Sequence, residues 1–292
     1  MIADSLAGRR IAVTGSTGFL GTALVERLLR SVPDCELVLV VRPGRRGARR
    51  RGDRDILRND AFDRLRDELG TDGFAEMTAQ RVTAVAGDVA VDGLGLDDAG
   101  RAAIAGCDIF IHSAAIVSFD SPLDQAVEVN LLGPVRVASV LTELGVAPHL
   151  VAVSTCYVAG SRRGAAPEEP VDESPFFVGV DWSNEVDSAR QIRRDTETAS
   201  RSPERLTDFR DEAHDELGAA GVPALASKTE QLRSRWIDDR MAEAGRARAT
   251  SLGFPDAYAY TKALGEMALR VEVDQQHLLA EGGQGHPNVN GG

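Results

Sequence analysis

Two side chains suited to proton transfer, Tyr258 and Lys262, lie four residues apart near the end of this sequence. On a helix, residues at that spacing share one face. A phenol ionises near pH ~10, and a neighbouring ammonium stabilises its phenolate, so the phenol can act as an acid or base closer to neutral pH. A surface helix can carry the same pair without any chemistry, so its interpretation depends on the residues that precede it.

A hydroxyl that could hold a substrate carbonyl oxygen precedes this pair, in the segment Ser154-Thr155-Cys156-Tyr157-Val158-Ala159-Gly160. The segment ends an apolar run that is predicted to be a strand over residues 150–154. Successive strand residues face opposite sides, so only one of Ser154 and Thr155 is expected to reach a site. The residues alone leave that choice open.

A glycine-rich turn near the start of the chain has the spacing GxxGxxG, formed by Gly15, Gly18 and Gly21. Glycine is needed where a backbone turns tightly, approaches a pyrophosphate, or lets a helix pack on a strand. The turn lies between a predicted strand and a predicted helix, whose N-terminus attracts phosphate. An ordinary βα turn is the alternative, but this frame favours dinucleotide binding, with Thr17, Phe19 and Leu20 also at the cofactor.

Arg42 ends the second predicted strand, where an NAD-preferring site would carry Asp or Glu for the ribose 2′-hydroxyl. A guanidinium there would bind a 2′-phosphate, so the sequence predicts NADPH as the cofactor. Arg45 and Arg46 follow, and the further run at residues 49–51 also fits a solvated arginine-rich loop.

Other candidate cofactor residues lie after the third and fourth predicted strands and in the next helix. Ligands of open α/β sheets bind at the carboxyl ends of strands, which favours this set. Taken singly, Asp88 could be a helix cap and Asn130 a surface amide. The set comprises Asp88, Val89, Ser113, Ala114, Ala115 and Asn130.

The elements that position these residues alternate between apolar runs and helical patterns, which predicts an α/β fold with a Rossmann-like doubly wound parallel sheet. The strands are predicted at residues 10–14, 36–41, 81–86, 108–112 and 150–154, and the helices at 20–29, 123–144, 185–194, 203–217, 229–244 and 256–273. We therefore predict a NAD(P)-binding domain over 1–160, a charged helical insert over 161–252, the Tyr-Lys helix over 253–273 and a disordered tail over 274–292.

Composition narrows the class of protein. The chain has 292 residues and a net charge of −12, from 33 basic and 45 acidic residues, which disfavours nucleic-acid binding. No signal peptide or apolar run of the roughly 20 residues of a membrane helix is visible. The three cysteines lack zinc-site spacing, so no metal is expected. These features predict a cytoplasmic protein.

Together, the glycine turn, the segment from His112 to Ala115, the segment from Ser154 to Gly160 and the Tyr258–Lys262 pair resemble an extended short-chain dehydrogenase/reductase. The sequences GSTGFLG, STCYVAG and YAYTKALGEM more specifically resemble the alcohol-forming fatty acyl-CoA reductases, or male-sterility-type reductases. Thr155 and Tyr258 lie 103 positions apart, and those reductases fill this gap with a charged helical insert.

This resemblance implies that Tyr258 donates the proton, that Lys262 tunes it and binds the nicotinamide ribose, and that Thr155 orients the carbonyl, with Ser154 as the alternative. It implies NADPH-dependent reduction of a fatty acyl-CoA or acyl-carrier-protein thioester to aldehyde or alcohol. Family members continue beyond the Tyr-Lys helix, so the chain resembles a reductase truncated at the C-terminus, with impaired turnover and a tendency to oligomerise. A sugar-nucleotide epimerase or dehydratase and a non-catalytic nucleotide-binding remnant are the alternatives.

Overall fold

The computed structural model describes residues 2–43, 56–174, 179–218 and 224–282, with side chains to residue 274. The chain divides into two compact units that are each discontinuous in sequence. The sheet unit comprises Met1–Ala115, Leu132–Ser154 and Gly265–Gly292, and the helical unit comprises Ile116–Leu131 and Thr155–Leu264. The predicted division into four consecutive segments (1–160, 161–252, 253–273 and 274–292) stays a prediction.

Five strands and ten helices are defined in the described ranges. The strands are β1 Arg10–Thr14, β2 Glu36–Val41, β3 Val82–Ala86, β4 Ile109–His112 and β5 His149–Ala152. The helices are α1 Ile2–Leu6, α2 Phe19–Ser31, α3 Asp63–Arg81, α4 Asp98–Ala105, α5 Leu123–Ala126, α6 Leu132–Glu143, α7 Trp182–Ala199, α8 Pro203–Leu217, α9 Leu225–Ser251 and α10 Ala257–Gly282.

The sheet unit confirms the predicted Rossmann-like α/β class. Its strands are all parallel, in the order β3-β2-β1-β4-β5. This is the strand order of a doubly wound nucleotide-binding sheet. The carboxyl ends of all five strands consequently lie at one edge, where the glycine turn follows β1.

The core of the sheet unit explains why the first two strands match the prediction residue for residue. Strands covered on both faces are continuously apolar, and Leu37 to Val41 are all buried. Alternate side chains of β1 and β2 join one cluster with α2 and the start of α3, formed by Ile11, Val13, Val25, Leu28, Leu29, Leu37, Leu39, Val41, Phe62 and Leu65 among others.

Several helices differ from the prediction. Helices α3 and α4 were not predicted, because α3 is polar and broken at Gly70 (φ 70°), whereas α4 is only eight residues long. The predicted helix over 123–144 contains a π-helical segment, Val127–Leu131, between α5 and α6. The last helix begins as predicted and continues to Gly282, into the segment expected to be disordered. The rest of that tail, 283–292, lies outside the described residues.

The helical unit contains the charged insert, whose helices α7 and α9 are longer than predicted, while α8 matches. Its helices have few apolar residues and pack through small clusters and charged contacts. In one cluster Phe209, Ala213 and Leu232 are buried together, and the Phe209 ring meets Trp236 edge-on.

Neither a membrane-spanning helix nor a metal cluster is present in the described part of the chain. None of its helices combines the length and apolar character needed to cross a bilayer. None of its His, Cys, Asp or Glu side chains group in threes at metal-binding distance.

Candidate active site

The glycine turn closes tightly after β1 in the sheet unit. Gly15 has a φ of 75°, and a Cβ atom there would lie 2.6 Å from the backbone nitrogen of Ala114. The Gly18 N–H donates to the Gly15 carbonyl at 3.0 Å, and α2 begins directly after Gly18. The first N–H groups of a helix have no intrahelical partner, so this end of α2 can hold an anionic phosphate.

Side chains in and after the turn comprise one buried hydroxyl group and three exposed residues. The Ser16 hydroxyl oxygen is buried and has no hydrogen-bond partner among the described residues. A buried polar atom of that kind calls for a partner from outside the chain, such as a bound ligand or water. Thr17, Phe19 and Leu20 are exposed, with Phe19 at 96%. The turn therefore fits a nucleotide phosphate.

Hydrogen bonds to Thr14 join the end of β4 to the end of β1. The Ser113 hydroxyl donates to the Thr14 carbonyl at 2.7 Å, and the Ala114 N–H donates to the Thr14 hydroxyl at 3.2 Å. The same hydroxyl lies 2.9 Å from Nδ1 of His112. These bonds bring Ser113 and Ala114 beside Gly15. The Ser113 hydroxyl is therefore engaged in a structural hydrogen bond.

Arg42 and Asp88 follow neighbouring strands. Val41 pairs with Ala86, and the Gly87 N–H donates to the Val41 carbonyl at 3.0 Å, so the segments after β2 and β3 start side by side. Arg42 is exposed there, while Arg45 and Arg46 lie outside the described residues. One Asp88 carboxylate oxygen accepts from the Ala90 N–H at 3.0 Å, so the carboxylate closes a local turn. Val89 is buried.

Asn130, in the π-helical segment, holds the backbone of its own unit. Its side chain is 1% exposed, accepts from the Ile116 N–H at 2.8 Å and donates to the Ile116 carbonyl at 2.9 Å. It also donates to the Thr261 hydroxyl at 3.2 Å, next to Lys262. Asn130 is therefore a buried amide with a structural role in the helical unit and not a surface residue; its contact with a cofactor stays a prediction.

We expect Asn130→Ala to lower the free energy of unfolding by about 2 kcal/mol or more. The substitution removes the partner of the N–H and the carbonyl of the partly buried Ile116, and an unsatisfied buried group costs roughly 1–3 kcal/mol. Thermal unfolding measures the effect, and Asn184→Ala, at an exposed position in the first turn of α7, is the matched control. Equal melting temperatures for the two variants would contradict the structural role.

The two tyrosines that begin α10 have different surroundings. Tyr258 is half-buried and its ring meets Phe119, an exposed residue, at a centroid distance of 6.1 Å. Tyr260 is 1% exposed and donates its hydroxyl to the Glu185 carboxylate. Burial first, and then this hydrogen bond, raises the pKa of Tyr260 far above the ordinary range of a phenol. The Tyr260 phenol therefore stays neutral and donates its proton in the hydrogen bond to Glu185. Tyr258 instead precedes the buried Lys262 by about one turn of the same helix.

The candidate hydroxyls lie beyond β5, since that strand ends at Ala152. Thr155 starts a short 3-10 turn, and its hydroxyl oxygen accepts from the Tyr157 N–H at 3.3 Å, a bond that does not use the hydroxyl proton. The Ser154 hydroxyl oxygen is buried, without a partner in the described residues. The Thr155 segment is joined to the residues before α10 by a hydrogen bond from the Ser161 N–H to the Gly253 carbonyl, at 2.8 Å.

Comparison with protein families shows that residues 13–280 match the NAD-binding family described as Male sterility protein. The chain belongs to this family. The matched range includes the glycine turn as well as Tyr258 and Lys262, and a nicotinamide nucleotide is accordingly the cofactor class of this domain.

The curated relatives of this chain carry the names of reductases. Fatty acyl-CoA reductase 8 of Arabidopsis thaliana is 31% identical over 268 residues, which cover 90% of this chain and 49% of that protein. The alcohol-forming fatty acyl-CoA reductase of Simmondsia chinensis is 27% identical over 272 residues, which cover 92% and 49%. The chain thus spans about half the length of these relatives.

A solved structure is also similar to part of this chain. The terminal R domain of the myxalamid PKS-NRPS pathway is 27% identical, with a TM-score of 0.44, over 64% of this chain and 45% of that one.

Three residues that contribute to these arrangements, Ser16, Glu185 and Arg248, were not predicted from the sequence. Ser16 lies inside the glycine motif, but its burial depends on how the turn folds. The Glu185 carboxylate and the Arg248 guanidinium form an ion pair in the helical unit. They are 63 positions apart, and charges of that kind are ordinary on a solvated helix face. The sequence does contain one indication, because Glu185 lies on the same side of α7 as the buried residues Val186 and Ala189.

Proposed function

We propose that this chain takes part in the NADPH-dependent reduction of a fatty acyl thioester, carried by CoA or an acyl carrier protein, to the aldehyde or alcohol. The observation that carries the proposal is the family match over residues 13–280, because it includes both the glycine turn and the Tyr258–Lys262 pair. The names of the curated relatives support the substrate class.

The sheet unit would bind the cofactor, which supplies a hydride when it is bound and reduced. The N-terminus of α2 and the backbone of the glycine turn, at Gly15, Gly18 and Gly21, would hold its phosphates. Arg42 would bind the 2′-phosphate through charge-assisted hydrogen bonds. Asp88, Val89 and the small residues Ser113, Ala114 and Ala115 would border the rest of the nucleotide.

The helical unit would supply the proton. Tyr258 would donate its phenolic proton to the substrate carbonyl oxygen as negative charge develops there, and Lys262 would stabilise the resulting phenolate. Thr155 would donate a hydrogen bond to the same oxygen, because its hydroxyl proton is not used by its bond with Tyr157. Tyr260 is unsuited to this role, since its hydroxyl is committed to Glu185.

The direct test follows the nicotinamide absorbance of NADPH mixed with this chain and palmitoyl-CoA, with aldehyde and alcohol identified among the products. Palmitate without CoA is the control, because it lacks the thioester that releases a thiol. Oxidation of NADPH that depends on the thioester supports the proposal. Tight binding of NADPH without oxidation would instead identify a non-catalytic nucleotide-binding protein.

We expect NADPH to bind about 10- to 100-fold more tightly than NADH, and Arg42→Ala to remove most of that preference. A hydrogen bond to a charged group contributes roughly 1.5–3 kcal/mol, which is about one to two decades in dissociation constant. Titration with each nucleotide measures it. Arg64→Ala is the control, since Arg64 is an exposed guanidinium paired with Glu68 on α3. Equal affinities in the unmutated chain would exclude NADPH preference.

A further inference from the structure

One buried carboxylate, that of Glu185, joins three helices of the helical unit. Glu185 lies in the first turn of α7 and is 9% exposed. Its carboxylate accepts two hydrogen bonds from the Arg248 guanidinium, near the end of α9, one of them from Nε at 2.9 Å. It also accepts the hydroxyl of Tyr260, at the start of α10.

The Glu185 carboxylate accepts three hydrogen bonds within the cluster formed by Glu185, Arg248 and Tyr260. Burial is the largest single influence on the Glu185 carboxyl and acts to raise its pKa, but the bonds from Arg248 and Tyr260 together lower it below its usual value. The carboxylate therefore stays ionised. Because Glu185 and Tyr260 are both buried, a movement that separates them leaves buried polar groups without their partner, which is unfavourable.

Tyr260 connects this cluster to the helix that carries the proposed proton donor. At 3.6 residues per turn, Tyr258 and Lys262 project from nearly the same side of α10, and Tyr260 projects from the opposite side. The hydrogen bond to Glu185 and the contact of the Tyr260 ring with Phe254, at a centroid distance of 6.0 Å, thus hold the back of the first turns of α10.

We propose that Glu185, through Tyr260, is a positioning residue that sets the rotation of α10 and thereby the placement of Tyr258 and Lys262. This inference rests on the function proposed above. It gives the charged insert, which contributes Glu185, a role in the reaction beyond covering a site.

The geometry makes the rate sensitive to this contact. A helix with its side chains has a radius of about 5–6 Å, so a rotation of about 10° moves the end of a side chain by about 1 Å. A misplacement of about 1 Å at a reacting group can cost roughly 100-fold in rate. Substrate binding depends less on such a shift, since it is spread over many contacts.

The test compares Tyr260→Phe, Glu185→Gln and Glu185→Ala with the unmutated chain. Tyr260→Phe removes one hydroxyl and keeps the ring contact with Phe254. We expect its kcat for acyl-CoA reduction to fall roughly 10- to 100-fold, with the KM for acyl-CoA nearly unchanged. Glu185→Gln keeps an acceptor for Tyr260 and should retain more of kcat than Glu185→Ala.

Glu230→Gln is the matched control, because Glu230 also binds an arginine, Arg233, but that pair lies within α9 and does not include α10. Its kcat should stay at the unmutated level. An unchanged kcat in Tyr260→Phe, or a loss of kcat as large in Glu230→Gln, would overturn the positioning role.

Amide hydrogen exchange gives a second readout that needs no turnover. We expect faster exchange over residues 257–264 in Tyr260→Phe than in the unmutated chain, with exchange in α2 unchanged. If the unmutated chain reduces no acyl thioester, the proposed function fails, and this measurement alone decides whether the cluster holds α10. Unchanged exchange over 257–264 would overturn the inference whatever the activity.

Discussion

Tyr258→Phe is expected to lower the kcat of acyl-thioester reduction by about 100- to 10,000-fold, the range that a positioned general acid contributes. The phenylalanine ring preserves the contact with Phe119, so the shape of the site is kept and only the proton is lost. The dissociation constant of NADPH should stay nearly unchanged, because the phosphates are assigned to the glycine turn. Steady-state kinetics and nucleotide titration measure the two quantities separately.

Tyr157→Phe is the natural control for that substitution, since Tyr157 is an exposed tyrosine whose ring also meets Phe119. Loss of its hydroxyl should leave kcat at the unmutated level. The chain has three tyrosines, so the control and the Tyr260→Phe variant complete the set. Turnover of Tyr258→Phe close to that of the unmutated chain would mean that another group supplies the proton.

The sheet was predictable from sequence because its determinants are local. Strands β1 and β2 are apolar and buried over residues 11–13 and 37–41, and the glycine spacing after β1 reflects a close approach that a Cβ atom would prevent. Helix α3 was not predicted, because its local pattern is weak. Its polar composition and the break at Gly70 obscure the 3.6-residue periodicity of a helix.

The candidate site was predictable in its residue types but not in its contacts. The YxxxK spacing gives two residues on one face of a helix wherever the helix packs, whereas the bond between Tyr260 and Glu185 joins positions 75 residues apart. The role of Asn130 likewise depends on a π-helical segment that breaks the apolar periodicity of the predicted helix. Such contacts arise from tertiary packing, which a single sequence does not encode as a pattern.

Replacement of Gly21, in the first turn of α2, by alanine is expected to weaken NADPH binding strongly. A Cβ atom there would lie 2.2 Å from the Gly15 carbonyl oxygen and 2.8 Å from the Ser16 Cα, both of which are backbone atoms that cannot rotate away. Gly21→Ala must therefore open the turn and break the bond from the Gly18 N–H to the Gly15 carbonyl. Two lost contacts to charged phosphates, at roughly 1.5–3 kcal/mol each, weaken NADPH binding by about 100-fold or more.

Gly73→Ala separates this steric effect from the general consequence of placing alanine for glycine in a helix. Gly73 lies in α3, and a Cβ atom there would meet only the Leu69 Cβ, at 3.5 Å, an ordinary contact. Alanine is favoured over glycine in a helix by about 1 kcal/mol, so this control should melt at the same temperature or higher and bind NADPH normally. If Gly21→Ala bound NADPH as tightly as Gly73→Ala, the glycine turn would not be where the phosphates bind.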